Sequence, residues 1–439
     1  MTATSSKFQA LSAAIDNHSA TIGIVGLGYV GLPLLLRCCE VGFRTIGFDT
    51  DSEKIDMLGA GTSFIQHIAS NRIAAAQSNF TATTDFAHIS KCQAVILCVP
   101  TPLTKNREPD LSYIIQTMSD VLPHFGKEGV ALSLESTTYP GTTEDILGKA
   151  LDEAGYEIGN DVFLIYSPER ENPGRADFTT QSIPKLVAGH TPSCLKIGRA
   201  LYGQIVDTPV GTSSLKVAEM AKILENVQRA VNIGLMNEMK LVADAMKIDI
   251  FEVIEAAATK PFGFTPFYPG PGLGGHCIPI DPFYLSWKAK EFDINLKFIE
   301  LAGEINSSMP NYILNKISNL LNQKSKSLKD SEILILGLSY KKNVDDIRES
   351  PALKLIKLLL KADAKVSFAD PFHKAVPKSR NFNFKIKSVE INPKNLQDFD
   401  CVVLTTDHDN FDYEMIRINS RLIIDTRGKF NLSEKVIRG

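Results

Sequence analysis

A short apolar run followed at once by three spaced glycines constrains the fold of this chain more than any other feature. Thr21–Val25 reads T-I-G-I-V and favours a β-strand, Gly26-Leu-Gly28-Tyr-Val-Gly31 follows it, and L-P-L-L-L-R-C-C then favours a helix. Gly26 permits a tight turn, Gly28 lets a pyrophosphate approach the backbone, and Gly31 allows the helix to pack closely on the strand. This order of strand, glycine turn and helix predicts a dinucleotide site.

A second strand and an acidic residue strengthen this prediction. The run R-T-I-G-F ends at Asp49, which follows the glycines by about 20 residues, where an acidic side chain binds the ribose 2′-hydroxyl. A carboxylate at that point would repel a 2′-phosphate, so we expect NAD rather than NADP. A glycine turn that arose by chance would not have this context.

Further apolar runs extend the first unit into a sheet. Strands predicted at residues 94–99, 130–135 and 162–166 alternate with helical segments, which indicates a parallel, doubly wound sheet. Ligands of such sheets bind at the carboxyl ends of the strands. Although they could be plain connectors, we interpret three loops at this edge as walls of a site: Pro100-Thr101-Pro102, Glu135-Ser136-Thr137 and Ser167-Pro168-Glu169-Arg170.

The middle of the chain predicts one long helix over residues 212–246. Lys222, Asn226 and Arg229 share a face of it, because they are spaced i, i+4, i+7. A solvated stripe would explain them, but the apolar flanks favour a helix buried on most sides, where cationic side chains need partners such as an anionic ligand. A long helix between domains is also a natural subunit contact.

Residues 260–282 read K-P-F-G-F-T-P-F-Y-P-G-P-G-L-G-G-H-C-I-P-I-D-P, which is too rich in proline and glycine for a helix or a central strand. Proline fixes φ and glycine permits positive φ, so this segment is a loop of specified shape. It presents Cys277, with Asp281 four residues later. A cysteine is often a small buried hydrophobic residue; this setting instead indicates a nucleophile.

The last third predicts a second α/β unit. A polar linker precedes the strand that begins at Glu332, and further strands are expected at 366–370, 401–406 and 421–427. A second dinucleotide is not expected, because the unit lacks G-x-G-x-x-G. Four basic residues at strand ends suit either a phosphate-bearing ligand or a solvated rim: Lys341, Lys342, Arg348 and Arg427.

Composition excludes several classes of protein. The net charge of −3 leaves no basic surplus for a nucleic acid partner. The seven cysteines include no C-x-x-C, and the eight histidines lack ligand spacing, so neither a disulfide framework nor a metal site is expected. Residues 1–20 do not resemble a signal peptide, and no window reaches the roughly 18 apolar residues of a membrane span. We expect a cytoplasmic protein.

Five segments in order resemble the UDP-glucose/GDP-mannose dehydrogenase family. They are G-L-G-Y-V-G-L-P, the loop with Glu169, the K-I-L-E-N helix, G-G-H-C-I-P-I-D-P and K-N-V-D-D-I-R-E-S-P. K-P-F-G-F-T-P-F-Y-P-G-P-G is most similar to bacterial UDP-N-acetylglucosamine 6-dehydrogenases, which serve O-antigen and capsule synthesis. Glu171-Asn172 differs from the usual apolar pair of the N-acetylmannosamine enzymes.

The resemblance implies a four-electron oxidation of the sugar 6-hydroxymethyl by two NAD in succession. Cys277 would form a thiohemiacetal and then a thioester, Lys222 and Asn226 would stabilise the oxyanion, and the remaining catalytic residues would manage water and protons: Asp281, Glu169 and Thr137. Besides Gly26, Gly28 and Gly31, the residues expected to contact NAD are Tyr29, Val30, Asp49, Lys54, Thr101, Thr137 and Arg348. Those expected to contact the UDP-N-acetylhexosamine are Glu169, Arg170, Lys222, Asn226, Arg229, Tyr268, Gly270, Lys341 and Arg427.

The fold class that follows is α/β, with two Rossmann-like doubly wound parallel-sheet domains joined by a long central helix. The expected division is a flexible segment 1–20, an NAD-binding domain 21–211, a central helical domain 212–323 with the cysteine loop, and a UDP-sugar-binding domain 324–439. We expect a homodimer or a dimer of dimers. Three alternatives stay open: a UDP-N-acetylmannosamine, UDP-N-acetylgalactosamine or UDP-glucose dehydrogenase, a simple 2-hydroxy-acid-type dehydrogenase that needs no cysteine, and an NAD-binding redox sensor.

Overall fold

The computed structural model describes residues 5–65, 68–104, 106–170, 179–275, 277–376, 382, 384–386 and 388–439. The chain divides into two compact units, which we call the first unit (Met1–Glu225 with Phe283–Ile294) and the second unit (Asn226–Pro282 with Asn295–Gly439). The four segments expected from the sequence stay a prediction about domain boundaries.

The sheet of the first unit contains β1 (Thr21–Val25), β2 (Arg44–Phe48), β3 (Phe80–Thr83), β4 (Ala94–Leu97), β5 (Val130–Leu134), β6 (Val162–Tyr166), β7 (Lys185–Gly189) and β8 (Pro209–Gly211). Its order is β3-β2-β1-β4-β5-β6-β7-β8. Neighbouring strands run parallel, apart from the antiparallel pair β6 and β7. The order reverses beside β1, which pairs with both β2 and β4 and is followed by the glycine turn, as a doubly wound dinucleotide unit requires.

The sheet of the second unit contains β9 (Glu332–Leu336), β10 (Lys365–Ala369), β11 (Cys401–Leu404), β12 (Ile423–Asp425) and β13 (Val436–Arg438). Its order is β10-β9-β11-β12-β13, and each pair is parallel. The prediction of two doubly wound parallel sheets is therefore confirmed, with the β6–β7 pair as one antiparallel addition.

The helices of the described chain are α1 (Ser6–Asp16), α2 (Gly31–Glu40), α3 (Ser52–Gly59), α4 (Ser70–Ala76), α5 (Ser112–Val121), α6 (Lys149–Glu153), α7 (Pro192–Ile205), α8 (Leu215–Met246), α9 (Ile250–Ala258), α10 (Asp281–Ala289), α11 (Lys297–Gln323), α12 (Pro351–Lys361) and α13 (Tyr413–Asn419). Short 3₁₀ helices lie at Phe86–Lys91, Leu122–His124, Lys290–Phe292 and Asn395–Gln397, and a π-helical turn lies at Thr143–Gly148.

Both faces of the first sheet are buried, as is typical of parallel sheets that carry helices on both sides. On β4, Ala94 and Ile96 join one apolar cluster and Val95 and Leu97 join another. The first cluster includes α2 and α7, and the second includes α5. The sheet of the second unit repeats this arrangement between α12 and α13. Strands buried on both faces explain why the sequence shows continuous apolar runs instead of alternation.

The segment before β1 corrects a prediction. Residues 1–20 were expected to be flexible, but α1 is a regular helix whose first turn is capped by the Ser5 side chain, which accepts a hydrogen bond from Phe8 N. Leu11 and Ile15 are buried in the core of the first unit, so the helix is fixed by apolar packing. Only two fully buried side chains mark its inner face, which is too weak a pattern to read from the sequence.

Helix α8 corrects a second prediction, because it is not buried on most sides. One face shows large apolar side chains at helical spacing, each more than two-fifths exposed. These form the α8 apolar stripe: Val217, Met220, Leu224, Leu235, Met239, Val242 and Met246. An apolar stripe of this length is the kind of surface that a protein partner covers.

Candidate active site

The glycine turn after β1 has the geometry expected for a dinucleotide. Gly26 has φ +91° and donates its N–H to Phe48 O at 2.8 Å, and a Cβ at this position would lie 2.8 Å from the Cys98 carbonyl oxygen. A Cβ on Gly31 would lie 1.9 Å from Gly26 O, whereas a Cβ on Gly28 would meet nothing within 4 Å. Gly26 and Gly31 are thus required by the turn itself, and Gly28 faces open space, where a pyrophosphate can approach at the start of α2.

Asp49 lies beside this turn at the end of β2 and is nearly buried. Its Oδ2 accepts hydrogen bonds from Leu27 N at 2.9 Å and from Lys54 Nζ at 3.1 Å, while Oδ1 accepts from Asp51 N at 3.0 Å. The carboxylate is therefore held in one orientation next to the turn. The structure brings Asp49 and Lys54, both expected to contact NAD, into one group.

Two of the three predicted loops at the carboxyl edge of the first sheet are joined by hydrogen bonds. Thr101 Oγ1 donates to Thr137 O at 2.9 Å, and Ser136 Oγ donates to Val99 O at 2.6 Å. Tyr284 OH donates to the Thr101 and Pro102 carbonyl oxygens. Thr101 and Thr137, which are 36 residues apart, are thus adjacent.

The third loop borders a small cavity that opens to solvent, lined by Val30, Leu34, Glu135, Glu169, Arg170, Thr180, Ile183 and Lys185. This cavity combines Val30, expected to contact NAD, with Glu169 and Arg170, expected to contact the sugar nucleotide. The guanidinium of Arg170 donates to Pro184 O at 2.7 Å and to Glu225 Oε1 at 2.6 Å, so it also fixes its own loop. The Glu171-Asn172 pair lies outside the described residues.

The second unit groups the cysteine loop with part of α8. Asn226 Nδ2 donates to Asp281 Oδ2 at 2.6 Å, and both residues are almost completely buried. Asp281 N and Ile280 N donate to Cys277 O at 2.8 and 3.1 Å, which closes a turn just before α10. Arg229 Nη2 donates to Asn226 Oδ1 at 3.3 Å. Asn226, Arg229, Cys277 and Asp281, which the sequence separates by up to 55 residues, therefore form one group.

Lys222 lies one helical turn before Asn226 on α8 and is 5% exposed, whereas Arg229 is exposed. The face of α8 that carries Lys222, Asn226 and Arg229 is therefore buried at Lys222 and exposed at Arg229. A buried lysine next to a buried amide is the kind of donor pair that stabilises an oxyanion.

The thiol of Cys277 differs in its surroundings from most other thiols of the chain. Burial raises the pKa of Cys39 to about 11 and that of Cys92 to about 12, and it raises the pKa values of Cys38 and Cys401 further. These thiols stay protonated and unreactive near neutral pH. Cys277 is only partly buried, so it is accessible in a way that a nucleophile must be.

The remaining predicted substrate residues of the second unit are partly engaged with each other. Gly270 N donates to Asn237 Oδ1 at 3.0 Å, and a Cβ on Gly270 would lie 2.9 Å from an Arg427 guanidinium nitrogen, so these backbone and side-chain groups are adjacent. Tyr268 is half-exposed and stacks on Phe251 at 6.3 Å between ring centroids. Lys341 lies half-buried in the segment after β9.

Three of the four basic residues expected at the strand ends have partners within the second unit, so they do not form an open cationic rim. Arg348 pairs with Asp346 at 2.6 Å, Lys342 pairs with Asp409 at 2.6 Å, and Arg427 Nε donates to Thr405 O at 2.7 Å. Arg348 O also accepts the N–H of Gly275 at 2.8 Å, which ties this segment to the cysteine loop.

Sequence reasoning missed a buried network behind the first-unit loops, made of Glu135, Lys185 and Tyr202. Lys185 Nζ lies 2.6 Å from Glu135 Oε2, and Tyr202 OH donates to Glu135 Oε1 at 2.8 Å. The available signal was a lysine at the start of the apolar run K-L-V-A-G, which a strand buried in a sheet does not need. No periodicity could identify its partner 50 residues away.

Within the described residues, every helix is too short or too polar to span a membrane. The same residues contain no group of three or more His, Cys, Asp or Glu side chains that could bind a metal ion.

Comparison with known proteins covers nearly the whole chain. Residues 20–206, 216–308 and 334–431 match the NAD binding, central and UDP binding domains of the UDP-glucose/GDP-mannose dehydrogenase family. The chain is 33% identical to protein CapL of Staphylococcus aureus over 94% of this chain and 97% of that one. It is 34% identical to a UDP-N-acetyl-D-glucosamine 6-dehydrogenase of Pseudomonas aeruginosa over 80% of this chain and 82% of that one. The structure of a UDP-D-ManNAc dehydrogenase from Pyrococcus horikoshii superimposes with a TM-score of 0.84 at 29% identity, covering 94% of this chain and 96% of that one.

Proposed function

This chain belongs to the UDP-glucose/GDP-mannose dehydrogenase family and is an NAD-dependent nucleotide-sugar dehydrogenase, and we propose that its substrate is UDP-N-acetylglucosamine. The product would be UDP-N-acetylglucosaminuronic acid, formed for bacterial surface polysaccharide synthesis. The choice of sugar is supported by the 34% identity to the Pseudomonas enzyme. The chemistry is supported above all by one observation, the buried hydrogen bond from Asn226 to Asp281. Asp281 belongs to the same turn as Cys277, because its N–H is bound to Cys277 O.

The residues of the first unit fit NAD. Gly28 faces open space, Gly31 can only be glycine, and Asp49 is oriented beside the turn, so the pyrophosphate would lie at the start of α2 and the ribose near Asp49. When bound, NAD accepts the hydride that leaves C6 of the sugar in each of the two oxidations. A loaded site would also contact Tyr29, Val30 and Thr101, with Thr137 adjacent.

Cys277 would be the nucleophile of the second oxidation. Its thiolate adds to the aldehyde carbon formed in the first oxidation, which gives a thiohemiacetal. Loss of hydride from that carbon leaves a thioester, and water then cleaves the carbon–sulfur bond to give the carboxylate and the thiolate. Covalent capture divides a difficult step into two easier ones and retains the reactive aldehyde.

Asn226 and Lys222 would stabilise the oxyanion of the tetrahedral intermediates. The amide nitrogen of Asn226 carries two hydrogens: one is bound by Asp281, which fixes the amide plane, and the second can donate to the oxyanion. The Arg229 guanidinium donates a hydrogen bond to Asn226 Oδ1, which fixes the amide in the same orientation. Preoriented donors of this kind contribute about 3–4 kcal/mol each to transition-state stabilisation.

Steady-state kinetics on a panel of substrates tests which UDP-sugar the enzyme oxidises. UDP-N-acetylglucosamine, its manno and galacto epimers and UDP-glucose are compared at saturating NAD by NADH absorbance. We expect the highest kcat/KM for UDP-N-acetylglucosamine, by about tenfold or more. A higher value for an epimer or for UDP-glucose would reassign the substrate and leave the chemistry unchanged. No activity on any of them would overturn the proposed function.

We also propose that the protein is a homodimer assembled through the α8 apolar stripe. In support, Leu235, Met239, Val242 and Met246 of the second unit are each 43–64% exposed, and water contact with that much apolar surface is unfavourable. Light scattering of a Met239→Glu variant should show monomer. Ile418→Glu on α13, at 57% exposure, is the matched control and should keep the mass of the wild type, whether that is a dimer or a dimer of dimers. A Met239→Glu protein with the wild-type mass would refute the assignment.

A further inference from the structure

Lys185 makes more contacts than would be required of an ion pair that only stabilises the fold. It is 8% exposed at the start of β7, and its Nζ lies 2.6 Å from Oε2 of Glu135, which is 1% exposed. Tyr202 OH donates to the other carboxylate oxygen at 2.8 Å, and Lys185 Nζ lies 5.3 Å from the Tyr202 ring centroid. Burial and the nearby Glu135 carboxylate raise the pKa of Tyr202 well above its ordinary value, so its hydroxyl remains a donor. Burying an ion pair costs desolvation energy that its own attraction seldom repays.

The same ammonium group reaches the loop of Glu169. Lys185 Nζ also donates to Pro168 O at 3.2 Å, and on the other side of Glu169 the guanidinium of Arg170 donates to Pro184 O at 2.7 Å. The two residues that flank Glu169 are therefore bound by two consecutive residues, Pro184 and Lys185. The residues on both sides of Glu169 are thus hydrogen-bonded, and Glu169 lines the same cavity as Lys185.

The other partner of Lys185 leads to the loop of Thr137. Glu135 directly precedes Ser136 and Thr137, Ser136 Oγ donates to Val99 O at 2.6 Å, and Thr101 Oγ1 donates to Thr137 O at 2.9 Å. Continuous hydrogen bonds and peptide bonds thus connect the three loops of the carboxyl edge. The Lys185 side chain contacts two of these loops at once, at Glu135 and at Pro168.

We propose that Lys185 is a positioning residue that fixes Glu169 relative to Thr137 within the first unit, so that these two residues can orient water and accept its proton when the thioester is hydrolysed. This inference rests on the proposed function. In that step water adds to the acyl carbon, the carbon–sulfur bond breaks with its electron pair going to the cysteine sulfur, and the water proton passes to a carboxylate, the role that falls to Glu169. Without Lys185, the Pro168 carbonyl loses its donor, the loop is fixed from one side only, and the carboxylate departs from its productive geometry.

The test separates this role from simple stabilisation of the fold. Lys185→Met alone leaves Glu135 buried without its cation and is expected to destabilise the first unit. The double variant Lys185→Met with Glu135→Gln removes both charges and keeps an acceptor for Tyr202 OH, so it should fold. Lys185→Arg restores a cation and donors. Lys7→Met is the matched control, because Lys7 forms an ion pair of the same 2.6 Å length with Asp161 in the first unit but contacts none of the three loops in this network.

Kinetics and intact-mass spectrometry together show which step of the reaction is slowed in each variant. In the double variant we expect kcat to fall by up to about 100-fold, with KM for the UDP-sugar and the calorimetric Kd for NAD changed less than about threefold. Intact-mass spectrometry of the reacting enzyme should show a uronyl adduct that the wild type does not accumulate, and Lys185→Arg should recover most of the rate. No adduct, together with a kcat equal to that of Lys7→Met, would overturn the role of Lys185. Two NADH per sugar from the wild type, measured first, establishes the proposed function, so such a result would refute this inference alone.

Discussion

The shape of the cysteine loop is tested most sharply by adding one methyl group to Gly275. This residue has φ +85°, its N–H is bound to Arg348 O at 2.8 Å, and a Cβ would lie 3.0 Å from the Tyr340 ring. Gly263 in the same loop has φ +72°, but the nearest atom to its Cβ would be Lys260 Nζ at 3.9 Å. The two positions therefore share the same backbone strain and differ in steric crowding.

The expected magnitudes follow from that difference. A non-glycine residue in the left-handed region costs about 1–2 kcal/mol, which is the whole effect expected for Gly263→Ala. At Gly275 the displacement of a packed ring adds about 1–3 kcal/mol, so Gly275→Ala should lose about 2–5 kcal/mol. Because Cys277 lies two residues further on, we also expect kcat to fall by at least about tenfold in Gly275→Ala and to stay near wild type in Gly263→Ala.

Urea denaturation followed by tryptophan fluorescence and circular dichroism measures the first quantity, and NADH formation measures the second. Iodoacetamide labelling of Cys277, read by peptide mass spectrometry, reports whether the thiol has moved. Equal denaturation midpoints for the two variants, with unchanged labelling and activity, would refute the conclusion that close packing against Tyr340 determines the shape of this loop.

Four further substitutions test other parts of the protein. Gly28→Ala should fold normally and weaken NAD binding by calorimetry, whereas Gly31→Ala should fail to fold, since its Cβ would lie 1.9 Å from a carbonyl oxygen; a stable Gly31→Ala protein would contradict this. Desolvation lowers the pKa of Lys240 from 10.5 to about 8, so between these values the unfolded chain binds a proton that the folded chain does not. The free energy of unfolding should therefore rise with pH across that window by roughly 3 kcal/mol relative to Lys240→Met. Melting temperatures of the two proteins that change in parallel with pH would refute this expectation. Asp281→Asn keeps the size of the Asn226 partner but removes its charge, and we expect kcat to fall by about 10²–10⁴ with little change in melting temperature; an unaltered kcat would exclude Asp281 from proton transfer.

The parts of the fold that the sequence predicted are those recorded in local patterns. Strands such as Val162–Tyr166 are buried on both faces and therefore appear as continuous apolar runs, and the glycine turn is constrained by sterics within six residues. The direction of β7 has no such signature, because five residues of strand look the same whether their neighbour runs parallel or antiparallel. The exposure of α8 was missed for a related reason, since an apolar face that a partner covers looks like one that the chain itself covers.

The candidate site shows the same limit. The residue types at Cys277, Asn226 and Asp281 follow from the motifs, but the bond between Asn226 and Asp281 joins positions 55 residues apart and depends on tertiary structure. The network of Glu135 and Lys185 was not predicted at all, since two charged residues 50 apart are indistinguishable from two surface residues until burial is known.

If Cys277 carries the second of two oxidations, its loss must change the number of NADH formed per UDP-N-acetylglucosamine consumed. The wild type and the control Cys401→Ala, which alters a thiol buried in the second unit, should form two NADH per sugar. Cys277→Ser should stop at the aldehyde level, with at most one NADH per sugar. Two NADH per sugar from Cys277→Ser at the wild-type rate would contradict the thioester mechanism.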